Sequence, residues 1–292
     1  MPAEWPMDQR DPPRVADGVT DEEVRRLCDF LYRQTGILLA DNKRYFIDRR
    51  LAERIAATGS TSFQDYYAML RADADREVEH LINSFTVNET YFYREDHQFR
   101  CLTSSLLGRL VAKKKQGDPI RIWSVPCSTG EEPYSIAIWL LENWDKVDTY
   151  GIEIIGSDID TRVLRAAEEA IYGERALMRL GKDLIRRYFE GLGEGRFRLS
   201  PALSSSIQFT RANIIDARQT ALHHGFDVIF CRNILMYFDD ASRRMAAENL
   251  YESLVPGGYI CLGHTESMSR ISALFDVCRF DEAIVYQRPE KG

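Results

Sequence analysis

The feature that most constrains this sequence is a regular alternation of strand-like and helix-like segments that begins after Gly117–Pro119. Short apolar runs rich in Ile, Val and Phe alternate with longer segments whose apolar residues recur at helical spacing. The strand-like runs are IRIWSV, IEIIGSD, IQFTRANI, FDVIFCRN and YICLGH, and the helix-like segments are YSIAIWLLENW, TRVLRAAEEAIYG and SRRMAAENLYESL. This pattern predicts an α/β domain with a doubly wound, Rossmann-like parallel sheet and ligands at the carboxyl ends of the strands.

The preceding residues, about 20–93, show helical patterns and no convincing strand. Thr20 and Glu23 have the spacing of a capping box, and helical apolar spacing then continues until Gly36 ends the helix. Asp41 is a candidate N-cap for a second helix. We therefore expect a small all-α domain before the α/β domain.

These patterns divide the chain of 292 residues into four parts. We predict a disordered tail at 1–18, a helical domain at 19–95, a linker helix at 96–117 and the α/β domain at 118–292. Residues 174–206 interrupt the alternation with a glycine-rich patch between short β-like segments. This interruption predicts a small inserted β hairpin.

The charge of the chain is unevenly distributed. The formal net charge is −7, but residues 19–117 carry net +1 and residues 118–292 carry net −6. The overall negative charge argues against nucleic acid as a partner. The longest apolar run, Ile136–Leu141, is far shorter than the roughly 18 residues of a membrane span, and the acidic first residues lack a signal-peptide pattern. We expect a cytoplasmic protein with no membrane insertion.

Six cysteines and five histidines are scattered along the chain without a C-x-x-C pair or an H-x-x-x-H pair. Structural zinc sites and disulfide frameworks have closer, patterned spacings. We therefore expect no metal and no disulfide framework.

The turn after the first predicted strand argues against a dinucleotide. A pyrophosphate favours G-x-G-x-x-G with bare backbone amides, whereas this turn has Gly130 followed by Glu131 and Glu132. Carboxylates at this position either complement the helix macrodipole or receive a cationic group of the ligand, such as an ammonium or a sulfonium. The residues alone leave both interpretations open.

Polar side chains end several successive strands of the predicted sheet. The second strand ends at Asp158, with Asp160 just beyond it, the third ends with Asn213, and the fourth ends with Arg232 and Asn233. Each residue alone is also a plausible cap or turn residue. Their succession favours a ligand crevice, in which a carboxylate after the second strand is placed to bind ribose hydroxyls.

A nucleoside site without phosphate chemistry, an acidic turn and a Pro-Gly-Gly before a late strand together describe an S-adenosylmethionine site. The segments VNETYFYRE, CSTGEEPYS, GSDID, FCRNILMYF and LVPGGYICLGHTES resemble those of the CheR family, the chemotaxis receptor glutamate O-methyltransferases. The similarity covers roughly residues 20–287. It implies methyl transfer from S-adenosylmethionine, with S-adenosylhomocysteine as product, to glutamates on the cytoplasmic helices of methyl-accepting chemoreceptors. It also implies that the helical domain recognises the substrate.

The same resemblance implies the site residues. Arg94 and Tyr237 would flank the transferred methyl group and act in catalysis, although a surface ion pair for Arg94 and core packing for Tyr237 are open alternatives. The implied cofactor-binding residues are Asn88, Thr90, Arg94, Glu132, Asp158, Asn213, Ile214, Asn233 and Ile234. Among these, Glu132 would take the ammonium end of the cofactor and Asp158 its ribose.

We expect an in-line displacement by a glutamate carboxylate. A free glutamate, with a pKa of about 4.3, is already ionised at neutral pH and needs no general base. The first alternative is a noncatalytic signalling module that binds S-adenosylmethionine. The second, an NAD dehydrogenase, is disfavoured because two glutamates stand where the pyrophosphate would bind.

Substrate binding is predicted from a basic stripe. Lys43, Arg50 and Arg54 fall within about 40° of one another on the second predicted helix. The stripe would complement acidic receptor helices, and the alternative is a solvated face with pairs to Asp48 and Glu53. The insert at 174–206 resembles a β-subdomain with which some family members bind a peptide at the receptor's C-terminus. Tethering and a plain hairpin both stay open.

Overall fold

The computed structural model describes residues 19–39, 43–73 and 75–290. The chain divides into two compact units, Met1–Val87 and Asn88–Gly292. The division falls several residues before the boundary that the sequence pattern placed at residue 95. The tail predicted at 1–18 and the candidate cap Asp41 lie outside the described residues.

The first unit is helical in its described part. Its helices are α1 (Asp21–Thr35), α2 (Arg44–Thr58), α3 (Phe63–Asp73) and α4 (Asp75–Phe85). The capping box at Thr20 and Glu23 is formed, and α1 ends at Gly36 with a left-handed φ of 72°. Apolar residues at helical spacing, among them Leu27, Leu51 and Leu81, are fully buried and form the core of this unit.

The second unit begins with a helical segment and continues as an α/β domain. The segment consists of α5 (His97–Cys101), a π-helical turn (Leu102–Leu106) and α6 (Leu107–Val111). The strands are β1 (Ile120–Ser124), β2 (Ile152–Asp158), β3 (Ile171–Gly173), β4 (Phe189–Gly193), β5 (Arg196–Leu199), β6 (Ile207–Arg211), β7 (Phe226–Cys231), β8 (Leu254–Leu262), β9 (Asp276–Arg279) and β10 (Ile284–Gln287). The helices are α7 (Glu131–Asn143), α8 (Thr161–Glu169), α9 (Glu174–Leu177), α10 (Lys182–Tyr188), α11 (Pro201–Ser204), α12 (Ala217–Thr220) and α13 (Asp240–Ser253).

Among the described residues, seven strands form the main sheet in the order β6-β2-β1-β7-β8-β10-β9. The neighbouring pairs from β6 to β8 are parallel, whereas β10 is antiparallel to both of its neighbours. Every residue of β7 is buried, as expected for a central strand covered on both faces. The predicted all-α region followed by a Rossmann-like domain is confirmed, and the carboxyl ends of β6, β2, β1 and β7 meet at one edge.

The segment predicted as a linker helix packs into the core of the second unit. Phe99, Leu102 and Leu106 are fully buried, and the Gln98 side-chain amide donates to the Leu262 carbonyl at 3.0 Å. The apolar residues of this segment therefore cover the sheet.

The insert is a second sheet of three antiparallel strands in the described residues, in the order β3-β5-β4. The sequence predicted a helix that continued to Gly173, but α8 ends at Glu169 and Ala170 adopts a left-handed φ of 51°. The next residues pair with β5 instead, and the Tyr172 ring packs edge-on against Phe92 at 4.9 Å. Strand pairing and aromatic packing thus prevail over the helical pattern at this point.

No helix in the described ranges has the length and apolar character that a membrane span requires.

Candidate active site

The turn between β1 and α7 requires glycine at its last position. Gly130 has a φ of 90°, and a Cβ there would lie 2.9 Å from the Ala167 Cβ and 3.0 Å from the Tyr134 ring. An L side chain would therefore be strained both by the backbone conformation and by its neighbours. This glycine lets the turn lie close to α8.

Two aspartates after β2 have different roles. Asp160 is buried and caps α8 by accepting from the Arg162 amide at 2.9 Å, and it also accepts from the Asn88 side chain at 2.9 Å. Asp158 instead faces the glycine turn and accepts from the amides of Ser128 and Asp160, each at 2.9 Å. Burial raises the pKa of Asp158 to about 6, against the lowering effect of these donors.

The two glutamates that begin α7 are withdrawn from solvent. Glu131 is 4% exposed and accepts from the Thr129 hydroxyl at 2.6 Å, and burial raises its pKa to about 7. Glu132 accepts from the Ser124 hydroxyl and from the Arg232 guanidinium, each at 2.8 Å. Burial raises the pKa of Glu132, while Arg232 opposes the shift. Buried acids at this turn disfavour an anionic ligand.

Arg232, which the sequence placed among the polar strand ends of a ligand crevice, lies at the centre of this charge network. Its side chain is 2% exposed and lies 2.8 Å from Glu132 and 3.1 Å from Glu95. It also donates to the Arg94 carbonyl at 2.6 Å. Burial alone would raise the pKa of Glu95, but Arg232 and hydrogen bonds from His264 and Asn233 lower it to about 2. Arg232 thus joins the end of β7 to α7 and to the segment before α5.

Arg94 lies between two residues of left-handed backbone, Tyr93 (φ 59°) and Glu95 (φ 54°). Its guanidinium donates to the Glu89 carbonyl at 2.7 Å and lies 5.8 Å from the centroid of the Tyr91 ring. These contacts hold the side chain across its own loop. The alternative role of Arg94, a surface ion pair with Asp96 or Glu95, is not formed in the described residues, because Asp96 pairs with Arg100 and Glu95 pairs with Arg232.

Tyr237 ends a 3-10 turn, Leu235–Tyr237, that follows β7. Burial raises the pKa of its phenol, Arg94 lowers it, and Glu89 and Glu266 raise it further. The phenol therefore stays protonated at neutral pH, and the charge of Arg94 acts on it. The catalytic roles of Arg94 and Tyr237 stay predictions.

A carboxylate that the sequence did not assign fixes the loop after β7. Glu266 accepts from the amides of Asn233 and Gly263, each at 2.9 Å, and from the amide of Leu235 at 2.7 Å. Asn233 has a left-handed φ of 61° and its side chain donates to Glu95 at 3.4 Å. The quoted segments around Glu95 and Glu266 contained these residues, but the spacing gave no sign that they would meet.

The remaining predicted cofactor-binding residues lie at the same edge of the sheet or beside it. Asn213 follows β6, and its side chain accepts from the Ile215 amide at 3.2 Å. Ile214 is buried, and its carbonyl accepts from the Asn249 side chain at 2.9 Å. The Asn88 carbonyl accepts from the Ser128 hydroxyl at 3.2 Å. Thr90 and Ile234 are half-buried.

The predicted substrate-binding residues lie in the first unit and are not equivalent. Arg54 makes a bidentate ion pair with Glu77, and the two side chains are 20% and 10% exposed. Arg50 is 35% exposed, lies 3.2 Å from Glu53 and stacks on the Phe46 ring at 5.3 Å. Lys43 immediately precedes α2. Arg54 is thus already paired within the first unit, and substrate binding by Lys43, Arg50 and Arg54 stays a prediction.

Comparison with known proteins gives two adjoining family matches. Residues 22–86 match the CheR methyltransferase all-alpha domain, and residues 88–284 match the CheR methyltransferase SAM binding domain. A chemotaxis protein methyltransferase 2 of Vibrio cholerae is 45% identical over 275 residues, which cover 94% of this chain and 95% of that protein. The chemotaxis protein methyltransferase of Escherichia coli is 35% identical over 266 residues, which cover 88% of each chain.

Proposed function

This chain belongs to the CheR methyltransferase family, and we propose that its methyl acceptors are glutamate side chains on the cytoplasmic helices of chemoreceptors. The protein is a methyltransferase of chemotaxis that uses S-adenosylmethionine. This family membership disfavours the noncatalytic binding module. The proposed products are glutamate 5-O-methyl esters and S-adenosylhomocysteine.

The observation that carries the proposal is the acidic, buried turn after β1, where the charge of Arg94 acts on Glu132. Bound at this edge, S-adenosylmethionine would supply a methyl group on a sulfonium sulfur, which would leave as the neutral thioether of S-adenosylhomocysteine. The donor set fits it, because a ligand with cationic groups and no phosphate suits a turn that holds Glu131 and Glu132. Among the described residues, no group of His, Cys, Asp and Glu side chains has a metal-binding arrangement.

The proposed binding roles follow from the remaining acceptor capacity of each side chain. A carboxylate has about four lone-pair sites. Glu132 accepts two hydrogen bonds, so it retains capacity for an ammonium group, and Asp158 retains capacity for ribose hydroxyls. The adenosine and the methyl side of the site would be bounded by Asn88, Thr90, Asn213, Ile214, Asn233 and Ile234.

Arg94 would orient the attacking carboxylate. A guanidinium donates two parallel hydrogen bonds to a carboxylate, and a lysine cannot reproduce this fork. The attack joins an anion and a cation into neutral products, so exclusion of water and alignment supply most of the rate. Tyr237 would donate a hydrogen bond to the same carboxylate or bound the methyl channel, because its phenol remains protonated at neutral pH.

The test is transfer of a radiolabelled methyl group to receptor-containing membranes, followed by mass spectrometry of receptor peptides. Base-labile esters on glutamates are expected with the wild-type chain. Arg94→Ala and Arg94→Lys are expected to lose at least a hundredfold in rate, and Arg165→Ala is a control at an exposed arginine of α8. Full transfer by Arg94→Ala would remove Arg94 from catalysis. Methylation of other residue types would refute the glutamate assignment.

We also propose that the three-stranded insert binds the C-terminal peptide of a receptor. In the order β3-β5-β4, β4 is an edge strand to which an extended peptide could add. Binding of a labelled receptor tail peptide should be reduced by a proline substitution at Glu190 of β4. Equal binding by that variant would contradict the edge-strand mode.

A further inference from the structure

A cavity of about 420 Å³ adjoins the turn that carries Tyr237 and borders the loop network of Leu235 and Glu266 described above. One wall is formed by Leu235 and Met236, the two residues that precede Tyr237 in the chain. Arg243 and Arg244 of α13 and Arg270 of a second 3-10 turn, Met268–Arg270, also line it. We call these three arginines and the cavity they line the arginine pocket.

The acidic groups of the arginine pocket already have partners. Glu266 accepts from three backbone amides of the neighbouring loops. Asp240 lies 3.2 Å from Arg243, whose guanidinium also donates to the Leu235 carbonyl at 2.9 Å. The charge of Arg243 is therefore satisfied within the protein.

Arg244 and Arg270 differ from Arg243 because their charges are not satisfied within the described part of the protein. Both are exposed, and within the described part of the chain neither guanidinium has a hydrogen bond or an ion pair. They line one concave surface in a region, residues 118–292, whose net charge is −6. Two unpaired guanidinium groups around a cavity favour an anion, and a carboxylate suits their planar donors.

We propose that the arginine pocket binds a second acidic side chain of the same receptor helix whose glutamate is methylated. This proposal rests on the proposed function and names a further part of the substrate. A helix rises 1.5 Å per residue, so side chains one or two turns apart on one face are separated by roughly 5 to 10 Å. The pocket begins at the residue before Tyr237, so a helix with its reacting glutamate at Tyr237 brings a neighbouring acid to the arginines.

The pocket would therefore select which glutamates are methylated. Charge complementarity at the rim of a site acts mainly on association rate and specificity. Glutamates with an acidic neighbour on the same helical face would react faster than those with a neutral neighbour.

The first test is receptor methylation by the full chain carrying Arg244→Glu and Arg270→Glu. The KM for receptor is expected to rise at least tenfold, with kcat and S-adenosylhomocysteine affinity changed less than twofold. Arg165→Glu is the matched control, because Arg165 is an exposed arginine of α8 with no partner in the described residues. An unchanged KM, or the same rise in the control, would overturn the proposal. A tenfold loss of S-adenosylhomocysteine affinity would also overturn it, because the pocket would then serve the cofactor.

The second test does not depend on methyl transfer. The probe is a fluorescent alanine-rich helical peptide with two glutamates seven residues apart, compared with the same peptide carrying glutamines. The wild-type chain should bind the glutamate peptide at least fivefold more tightly, and the double variant should lose this preference. A preference retained by the double variant would refute the pocket even if the wild-type chain failed to methylate receptors.

Discussion

Replacing Arg232 with methionine tests the central charge network of the active site. The substitution keeps most of the side-chain volume but removes the charge that lies between Glu132 and Glu95. Both carboxylates would then be largely buried without their cationic partner. Breaking a buried ion pair from one side costs about 3 to 5 kcal/mol.

The pKa of Glu95 gives a second estimate of this loss. It is lowered from its usual 4.5 to about 2, and one pKa unit corresponds to about 1.4 kcal/mol, so the network stabilises the fold by about 3 to 4 kcal/mol. Because the folded-state pKa is depressed, this stabilisation is present above about pH 4.5 and is lost as the pH falls towards 2. In Arg232→Met, the pKa-raising effect of burial is no longer opposed by the arginine charge, so the pKa values of Glu95 and Glu132 rise.

The assay is urea unfolding of the full chain followed by tryptophan fluorescence, since Trp123, Trp139 and Trp144 all lie in the second unit. We expect a loss of about 3 to 5 kcal/mol at pH 7.5. The difference from the wild type should narrow as the pH falls to 5.5, because raised-pKa carboxylates take up protons in the folded variant.

The matched control is Arg100→Met, which removes a surface pair with Asp96 whose two side chains are 50% and 46% exposed. Exposed pairs contribute about 0 to 1 kcal/mol. A loss below about 1 kcal/mol in Arg232→Met, or a loss independent of pH, would refute the reasoning that the network is desolvated and charge-compensated.

Three further predictions concern cofactor, turn and substrate. Asp158→Asn should weaken the binding of S-adenosylhomocysteine at least tenfold, as measured by calorimetry. Wild-type affinity should fall between pH 7 and pH 5, because the Asp158 carboxylate, with a pKa of about 6, takes up a proton in this range. Unchanged affinity at pH 5 would count against a contact between Asp158 and the ribose. Gly130→Ala should destabilise the fold by about 2 to 4 kcal/mol in urea titrations, whereas Gly191→Ala, whose Cβ meets nothing within 4 Å, serves as the control that should be neutral. Arg50→Glu should raise the KM for receptor severalfold without changing the affinity for S-adenosylhomocysteine. Arg54→Met should mainly lower the free energy of unfolding of the helical unit, by about 3 to 5 kcal/mol. A similar loss of stability in both variants would show that the KM effect of Arg50→Glu comes from misfolding.

The fold could be predicted because the spacing of apolar residues, the segment lengths and the order of segments all indicated the same architecture. The alternating segments after Gly117–Pro119 have a period and an apolar content that fit a parallel sheet and little else. The errors occurred where tertiary contacts determine the local structure. Ala170 has high helix propensity, yet the chain turns there because Tyr172 gains a strand partner and a ring contact. Helical spacing was correct for residues 97–111, but spacing does not show whether a helix covers a sheet or links two domains.

The site could be predicted only in part, and the reason is electrostatic. Asp158 and Glu132 could be singled out because strand ends and helix starts are positions at which ligands bind parallel sheets. Arg232 also follows a predicted strand, but its position does not show which residues it meets. Its importance comes from two carboxylates, 100 and 137 residues away in sequence, that fold against it. A signal was present, since a charged residue directly after the buried run Val228–Cys231 needs a buried partner.

A difference in charge sign would let one domain hold a cationic cofactor and still receive the acidic helix proposed as substrate. The acids near the cofactor turn are buried and held by internal donors such as Arg232, so their field acts mainly within the crevice. The unpaired guanidinium groups of Arg244 and Arg270 face solvent, where they act on an approaching helix. The net charge of −6 for residues 118–292 therefore does not predict repulsion of an anionic substrate, because the sign at the entrance differs from the sign inside.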